Sequence, residues 1–274
     1  MVILLYSDKN CEHQVASCIR SFESKITDSL KIAYFTIGFK SDLSFKNLYK
    51  IEVPHSKVYN KFYYYKADLS LAAMRLFPNE DYIFTDTDVI FSRRFNPESM
   101  VTSANYAVAS YGPWEYPYIY TQSADGRQTI YDETKLMKYM NVSQRSQKYC
   151  WSCFYTFNSS SKDFFEEYAS VCNNRYLLDR QQDYFPFWDE TAFNVCLWKR
   201  GANKNLGTAF LNTHLYDSVV AVEEARIKNS RLGNFVDDSG RDWEFVEEPE
   251  NVILYHGIKN KEDADKILSY MLSK

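Results

Sequence analysis

Two aspartates, Asp86 and Asp88, stand one residue apart between two apolar, strand-prone runs, residues 82–84 and 89–91. A buried strand that ends in acids delivers them to the edge of a sheet, where ligands bind in open α/β folds. Alternate residues of an extended chain point the same way, so both carboxylates can face one site. Their charges repel unless a cation lies between them, and Mg²⁺ or Mn²⁺ suits such oxygen-rich sites. We therefore predict a metal–diphosphate anchor; the alternative is a solvated turn.

A second pair of acids, Asp189 and Glu190, adjoins aromatic residues at the predicted start of a helix, within residues 187–194. Carboxylates near a helix N-terminus are favoured by the helix dipole, so a capping role is the alternative interpretation. Titratable acids that adjoin aromatic side chains can also serve as catalytic groups. Both residues are therefore candidate catalytic groups.

A third group follows the apolar run that ends at His256, where Gly257 and Lys259 occupy the next turn. Imidazole is a good ligand for Mn²⁺ and would complete a carboxylate-rich site. A glycine lets the backbone approach a phosphate, and a lysine neutralises its charge. The alternative is a surface histidine followed by an ordinary glycine turn.

The elements that must position these residues alternate between strand and helix. The first half of the chain predicts strands at residues 2–6, 31–37 and 49–54, a helix around residues 15–22, and the clearest helix at residues 66–77, directly before the strand that bears Asp86 and Asp88. This order predicts an α/β fold with a mostly parallel central sheet flanked by helices. The loop after the first strand is then expected to lie beside the two aspartates.

The second half of the chain is less regular. It predicts strands at residues 105–110, 149–158, 208–212 and 251–256, helices that begin at residues 163 and 187, a polar, turn-rich stretch at 219–243, and a C-terminal helix over 264–271. Residues 111–148 predict long loops with a short helix near 133–139 and a turn at Asp125-Gly126, and loops of this length are usually functional. With no repeat and no obvious linker, we expect one domain over residues 1–274.

Composition limits the classes of protein to consider. The 274 residues are 45% hydrophobic and 25% charged, with a net charge of −4. No Lys/Arg-rich block exists, so nucleic-acid binding is not expected. The apolar start is too short for a signal peptide or a transmembrane segment. Six cysteines without a disulfide-scaffold pattern, and a Cys150–Cys153 pair interpreted as ordinary strand thiols, favour a reducing, cytoplasmic location.

These groups together resemble nucleotide-sugar glycosyltransferases of the GT-A (Rossmann-like) fold, in the retaining class. Asp86-Thr87-Asp88 matches the D-x-D motif of that fold. Residues 3–8 resemble the first strand and base-binding loop of the glycogenin-like family 8, and residues 255–259 resemble its late His-Gly-Lys motif. Residues 84–91 and 188–194 are similar to motifs of the blood-group-type family 6 transferases.

The resemblance implies metal-dependent transfer of a sugar, with retention of anomeric configuration, from a nucleotide-sugar donor to a hydroxyl of a carbohydrate or other acceptor. A UDP-sugar is the donor it favours. It implies that Mn²⁺ (or Mg²⁺) is held by Asp86, Asp88 and His256. It further implies a donor site formed by Tyr6 and Asp8 at the base and by Lys66, Asp86, Gly257 and Lys259, with Glu190 facing the anomeric carbon and Asp189 holding sugar hydroxyls.

Two other classes of protein stay open. A nucleotidyltransferase or phosphotransferase is also α/β with paired acids on a strand, but it predicts a glycine-rich phosphate loop after the first strand, and residues 7–10 contain no glycine. A non-catalytic carbohydrate-binding module would use the aromatic residues 114–120 and would not need the acids. Metal-dependent hydrolysis of a sugar nucleotide separates the enzyme from the binding module.

Overall fold

The computed structural model describes residues 1–55, 62–102, 105–106, 108–110, 119–122, 128–131, 133–144, 150–186, 188–200, 219–221, 235–237, 243–245 and 252–273. The strands are Val2–Ser7 (β1), Lys31–Ile37 (β2), Leu48–Val53 (β3), Asp81–Thr85 (β4), Val89–Phe91 (β5), Val101–Thr102 (β6), Asn105–Tyr106 (β7), Val108–Ser110 (β8), Ile119–Gln122 (β9), Gln128–Tyr131 (β10), Cys150–Asn158 (β11), Val219–Ala221 (β12), Phe235–Asp237 (β13), Trp243–Phe245 (β14) and Leu254–His256 (β15). The helices are Glu12–Phe22 (α1), Lys66–Leu76 (α2), Pro97–Met100 (α3), Thr134–Tyr139 (α4), Lys162–Cys172 (α5), Arg175–Leu178 (α6), Gln181–Tyr184 (α7), Trp188–Arg200 (α8) and Lys261–Leu272 (α9).

The chain divides into two compact units. The first comprises Met1–His55, Tyr82–Val101 and Leu215–Lys274, and the second comprises Ser56–Asp81 and Thr102–His214. The expectation of a single domain over residues 1–274 stays a prediction.

The first unit is built on a parallel ladder in the order β3-β2-β1-β4. Leu4 of β1 lies opposite Ala33 of β2 on one side and Phe84 of β4 on the other. Every residue of β1 is buried, which explains its continuous apolar run, because strands of a parallel sheet are covered on both faces. The predicted α/β class, with a mostly parallel sheet and flanking helices, is confirmed.

Helices α1 and α9 hold the short strands of the first unit in place. Helix α1 packs against β1, β5 and α9, and its Phe22 ring lies 5.6 Å from that of Phe91. In α9, Ile267 and Met271 belong to an apolar cluster that includes Ile90 of β5. Strand β15 pairs antiparallel with the β5 strand that this packing anchors. Strands β5 and β15, which adjoin Asp88 and contain His256 respectively, are therefore held by the same packed helices.

The second unit combines an antiparallel pair of strands, β8 and β11, with helices α2, α5 and α8. Helix α8 packs against β11 and α5, and α5 also packs against α2. The core is aromatic: the Tyr155 ring lies 5.8 Å from that of Phe165 and 5.1 Å from that of Phe193. Large rings with such contacts give this unit much of its buried apolar area.

Most predicted elements are confirmed, but several stretches differ from expectation. Residues 111–148 are not all loop, because β9 and β10 form an antiparallel pair in which Gln128 lies opposite Gln122. Their Tyr, Thr and Gln residues give no hydrophobic period, so only the pairing reveals them. The turn signal at Asp125-Gly126 and the strand predicted at 208–212 lie outside the described residues.

The other differences concern very short elements. Helices α3, α6 and α7 and strand β6 were not predicted, and residues 219–243 contain the three-residue strands β12 and β13 and the start of β14. Elements of three or four residues are too short for a hydrophobic period to develop. Across the described residues, no helix combines the length and apolar composition that crossing a membrane requires.

Candidate functional site

The three predicted metal ligands lie together in the first unit. Ligand atoms of Asp86, Asp88 and His256 are all within 4.8 Å of one another, and each residue is partly buried. Asp86 directly follows β4, and the chain then turns through Asp88 into β5. His256 reaches the same place from far along the sequence because β15 pairs with β5, with His256 opposite Val89.

The turn after β15 is hydrogen-bonded directly to the turn of residues 86–88 between β4 and β5, which we call the aspartate turn. The backbone N–H of Ile258 donates to the carbonyl oxygen of Asp88 at 2.9 Å. Gly257 has a φ of +85°, a left-handed conformation that glycine adopts without steric cost. This glycine therefore lets the chain turn so that Ile258 can reach Asp88. Contact between Gly257 and a donor phosphate stays a prediction.

The chemistry of this donor set fits a divalent cation. Two carboxylates supply oxygen ligands and the imidazole supplies nitrogen, a combination suited to Mn²⁺ and, through its oxygens, to Mg²⁺. The Nε2 atom of His256 lies 3.6 Å from Oδ1 of Asp88. Within the described ranges, this is the one group of three or more His, Cys, Asp or Glu residues with such spacing. The identity of the ion stays a prediction.

The loop after β1 lies beside the aspartate turn, as the parallel order predicts. Oδ1 of Asp8 accepts from the backbone N–H of Cys11 at 3.0 Å, which fixes the loop before α1 begins. Burial, with smaller contributions from the nearby carboxylates of Asp8 and Asp88, raises the pKa of the Cys11 thiol to about 11. The Cys11 thiol is therefore protonated at neutral pH.

The predicted base-binding residue Tyr6 is almost fully buried. Its ring is 5.9 Å from that of Phe84 and only 8% of the residue is exposed. Tyr6 thus packs in the sheet layer that supports the aspartate turn. Stacking of Tyr6 on a base and hydrogen bonding of a base to Asp8 stay predictions.

Two residues that sequence reasoning did not single out connect the loops of this site. Gln14 donates through Nε2 to the backbone oxygen of Lys259 at 2.9 Å, and its Oε1 accepts from the Thr87 hydroxyl at 3.2 Å. Nε2 of His13 lies 3.3 Å from the same Lys259 oxygen. No pattern in the sequence marks these partners, because His13 and Gln14 meet Lys259 across more than 240 residues of chain and Gln14 meets Thr87 across 73.

In the second unit, the predicted site residues Lys66 and Asp189 form a buried ion pair. Lys66 Nζ lies 3.1 Å from Oδ2 of Asp189, and only 4% and 6% of the two side chains are exposed. The same oxygen accepts from the hydroxyls of Ser152 at 3.0 Å and Tyr168 at 3.3 Å. Lys66 also donates to the backbone and side-chain oxygens of Ser152. This carboxylate is therefore satisfied by protein groups, and its contact with a sugar stays a prediction, as does that of Lys66 with the donor.

Glu190 is held at the start of α8 by strand β11. Its Oε2 accepts from the backbone N–H of Ser152 at 3.2 Å. One turn further, Asn194 exchanges two hydrogen bonds with the backbone of Cys150, at 2.7 and 2.8 Å, and also donates to the Glu190 carbonyl oxygen. The helix and the strand are thereby fixed in register. The Glu190 carboxylate is positioned on the protein backbone, and its catalytic role stays a prediction.

The Cys150–Cys153 pair is not a disulfide. Both residues are buried in β11 and neither is in a disulfide, and the same holds for Cys18, Cys172 and Cys196, which are buried in helices. Burial, with a smaller contribution from Glu190, raises the pKa of the Cys150 thiol well above its ordinary value. Their position in a strand agrees with the prediction, and the absence of a metal-binding or redox role stays a prediction.

Comparison with known proteins adds no family assignment. No protein-family model matches the chain, and no curated protein matches it. The function must therefore be argued from the arrangement of the residues themselves.

Proposed function

We propose that the protein is a metal-dependent glycosyltransferase of the GT-A type, which moves a sugar from a nucleotide-sugar donor to an acceptor hydroxyl with retention. The observation that supports it is the meeting of Asp86, Asp88 and His256 in the first unit. They lie where β4 ends in a parallel sheet, the edge at which α/β folds bind ligands. The resemblance of the three motifs to retaining transferases supplies the reaction.

The carboxylates of Asp86 and Asp88 and the imidazole of His256 would hold Mn²⁺ or Mg²⁺. A divalent cation supplies positive charge to the donor's diphosphate and stabilises it as a leaving group. Lys259 adds a further positive charge in the turn that follows His256. We place the nucleotide base at the loop after β1, because this loop adjoins the aspartate turn.

Glu190 is the residue we assign to the anomeric carbon. Retention requires a group that stabilises positive charge at that carbon, whether or not it forms a covalent bond. Glu190 is a carboxylate held by the backbone of Ser152. Asp189, which pairs with Lys66 within the protein, is the residue we assign to the sugar hydroxyls.

The proposal includes a UDP-sugar as the favoured donor and a carbohydrate or other hydroxyl compound as acceptor. It also includes a reducing, cytoplasmic setting, which fits six cysteines that form no disulfide. It involves neither nucleic acid nor membrane insertion.

A panel of nucleotide sugars tests the proposal. Each donor is incubated with the purified protein and Mn²⁺, then scored for slow hydrolysis of the donor and for a rise in melting temperature. We expect at least one donor, a UDP-sugar first, to be hydrolysed and to stabilise the protein, and both effects to disappear in EDTA. Hydrolysis that persists in EDTA would contradict metal dependence.

The stereochemistry is tested on the product of the same reaction. A retaining enzyme gives a product with the anomeric configuration of the donor, which NMR reads directly. An inverted product would remove the retaining assignment and with it the role of Glu190.

A further inference from the structure

Gln14 lies where helix α1 meets both turns that carry the predicted metal ligands. Its amide nitrogen donates to the backbone oxygen of Lys259, three residues after His256, at 2.9 Å. Its amide oxygen accepts from the hydroxyl of Thr87, the middle residue of the D-x-D turn, at 3.2 Å. One side chain thus links the turn that contributes both carboxylates to the turn that contributes the imidazole.

The chemistry of these two contacts requires a side-chain amide. The Thr87 hydroxyl needs an acceptor and the Lys259 carbonyl needs a donor, and an amide supplies both at once. A carboxylate of the same length offers only acceptors, and a lysine offers only donors.

The bridge is anchored on a rigid support. Helix α1 buries Val15, Ile19 and Phe22, so the backbone that carries Gln14 is fixed by packing. The backbone bond from Ile258 to Asp88 is a second tie between the same two turns. Gln14 and this backbone bond therefore resist separation of the turns.

We infer that Gln14 is a positioning residue for the metal site. It holds the aspartate turn and the turn after His256 (residues 257–260, the histidine turn) together without touching the ion. The inference rests on the proposed function, because it assumes that this cluster binds a divalent cation. Groups that orient metal ligands typically change metal affinity tenfold or more when they are removed. Without the Gln14 bridge, part of the free energy of ion binding is used to bring the two turns together, so the affinity for the ion falls.

Direct titration of Mn²⁺ into the full-length protein tests this inference, by electron paramagnetic resonance of free Mn²⁺ or by calorimetry, with no substrate present. Gln14→Met keeps the length of the side chain and removes both hydrogen bonds. We expect it to raise the Kd for Mn²⁺ about tenfold, a difference of about 1.4 kcal/mol. Gln182→Met, at an exposed glutamine of α7, is the matched control and should leave the Kd unchanged.

A second variant tests the bridge by another route. Thr87→Val removes the hydroxyl and keeps the shape of the side chain, and we expect about a threefold rise in Kd since one of the two bonds is lost. If both residues act through one bridge, the double variant should lie within about twofold of Gln14→Met. Melting temperatures without metal check that each variant is folded.

The outcomes separate this inference from the proposed function. If the wild-type protein binds Mn²⁺ and Gln14→Met binds it equally well, the positioning role is wrong and the metal site stands. Effects of the two substitutions that multiply fully would also overturn the bridge. If the wild-type protein does not bind Mn²⁺ at all, the metal site and this inference fail together.

Discussion

Each unit contains an aspartate beside a basic side chain, and the two aspartates differ in solvent exposure and in how many protein groups contact the carboxylate. In the second unit, Asp189 faces the Lys66 ammonium at 3.1 Å, and both side chains are almost fully buried. In the first unit, Asp88 faces the His256 imidazole at 3.6 Å, and 21% and 26% of these side chains are exposed.

The two carboxylates therefore differ in how fully protein groups already compensate their charge. Oδ2 of Asp189 is surrounded by protein donors, so its charge is compensated before any ligand arrives. The Asp88 carboxylate remains accessible and has a second carboxylate and an imidazole within 4.8 Å. A cluster of that kind is stabilised by an added cation, whereas a buried ion pair is not.

The largest effect is expected from the accessible carboxylates. Asp86→Asn and Asp88→Asn each remove a negative charge from the proposed ion site, so Mn²⁺ binding and donor turnover should fall below detection. The melting temperature without metal should hold or rise slightly, because repulsion between the carboxylates is relieved. Asp81→Asn, at the exposed opposite end of β4, is the control. Full activity of both variants in EDTA would refute the metal assignment.

Substitution within the buried Lys66–Asp189 pair should lower the free energy of unfolding. Lys66→Met leaves the Asp189 charge buried without its cation, and we expect a loss of about 3–5 kcal/mol in the free energy of unfolding, measured in urea. Lys261→Met, in an exposed pair with Asp265 on α9, should cost less than about 1 kcal/mol. Equal losses in the two variants would mean that burial does not distinguish the two pairs. Adding Asp189→Asn to Lys66→Met should recover part of the lost stability.

Glu190 lies next to the buried pair but is expected to behave like the accessible acids. Glu190→Gln keeps an oxygen that can accept from the Ser152 N–H and removes the negative charge. We expect about a hundredfold loss of kcat with little change in donor Kd or melting temperature, because the lost interaction exists mainly in the transition state. Glu262→Gln, in the first turn of α9, controls for the helix dipole. Lower stability with turnover retained would instead identify Glu190 as a helix cap.

The sequence predicts the parallel sheet of the first unit better than the β9–β10 pair of the second, for a physical reason. Strands buried on both faces, such as β1 and β2, are continuous apolar runs, and their parallel order follows from the alternation with helices. The hairpin of β9 and β10 carries no such run, so its pairing is not encoded in a hydrophobic period.

The candidate site divides in the same way. The three ligand candidates are visible because acids and a histidine follow apolar strands. The bridge through Gln14 is not visible, since an isolated glutamine on a helix has no pattern and its partners are set by tertiary contacts. Likewise, the sequence identifies Lys66 as a basic residue before the D-x-D motif, but only the fold pairs it with Asp189.

The histidine should contribute less to metal affinity than either aspartate, because it brings no negative charge. His256→Ala should weaken Mn²⁺ and nucleoside diphosphate binding together, by about tenfold for the ion, as measured by calorimetry. His55→Ala, at an exposed histidine of the same unit, should change neither value. Unchanged affinity for both ligands in His256→Ala would mean that His256 does not bind the ion and that the turn after β15 has only a structural role.

The smallest effect probes the negative charge of the cluster through Cys11. Its pKa of about 11, raised first by burial and then by Asp8 and Asp88, means that little thiolate exists at neutral pH. Alkylation of Cys11 by iodoacetamide in EDTA, followed by mass spectrometry, should be slow at pH 8 and accelerate about tenfold for each pH unit towards that pKa. Asp88→Asn removes one nearby negative charge, so it should speed alkylation about twofold at pH 8, whereas Asp81→Asn should not. An alkylation rate that is the same in Asp88→Asn as in the wild-type protein would mean that solvent screens the Asp88 carboxylate and that it does not raise the Cys11 pKa.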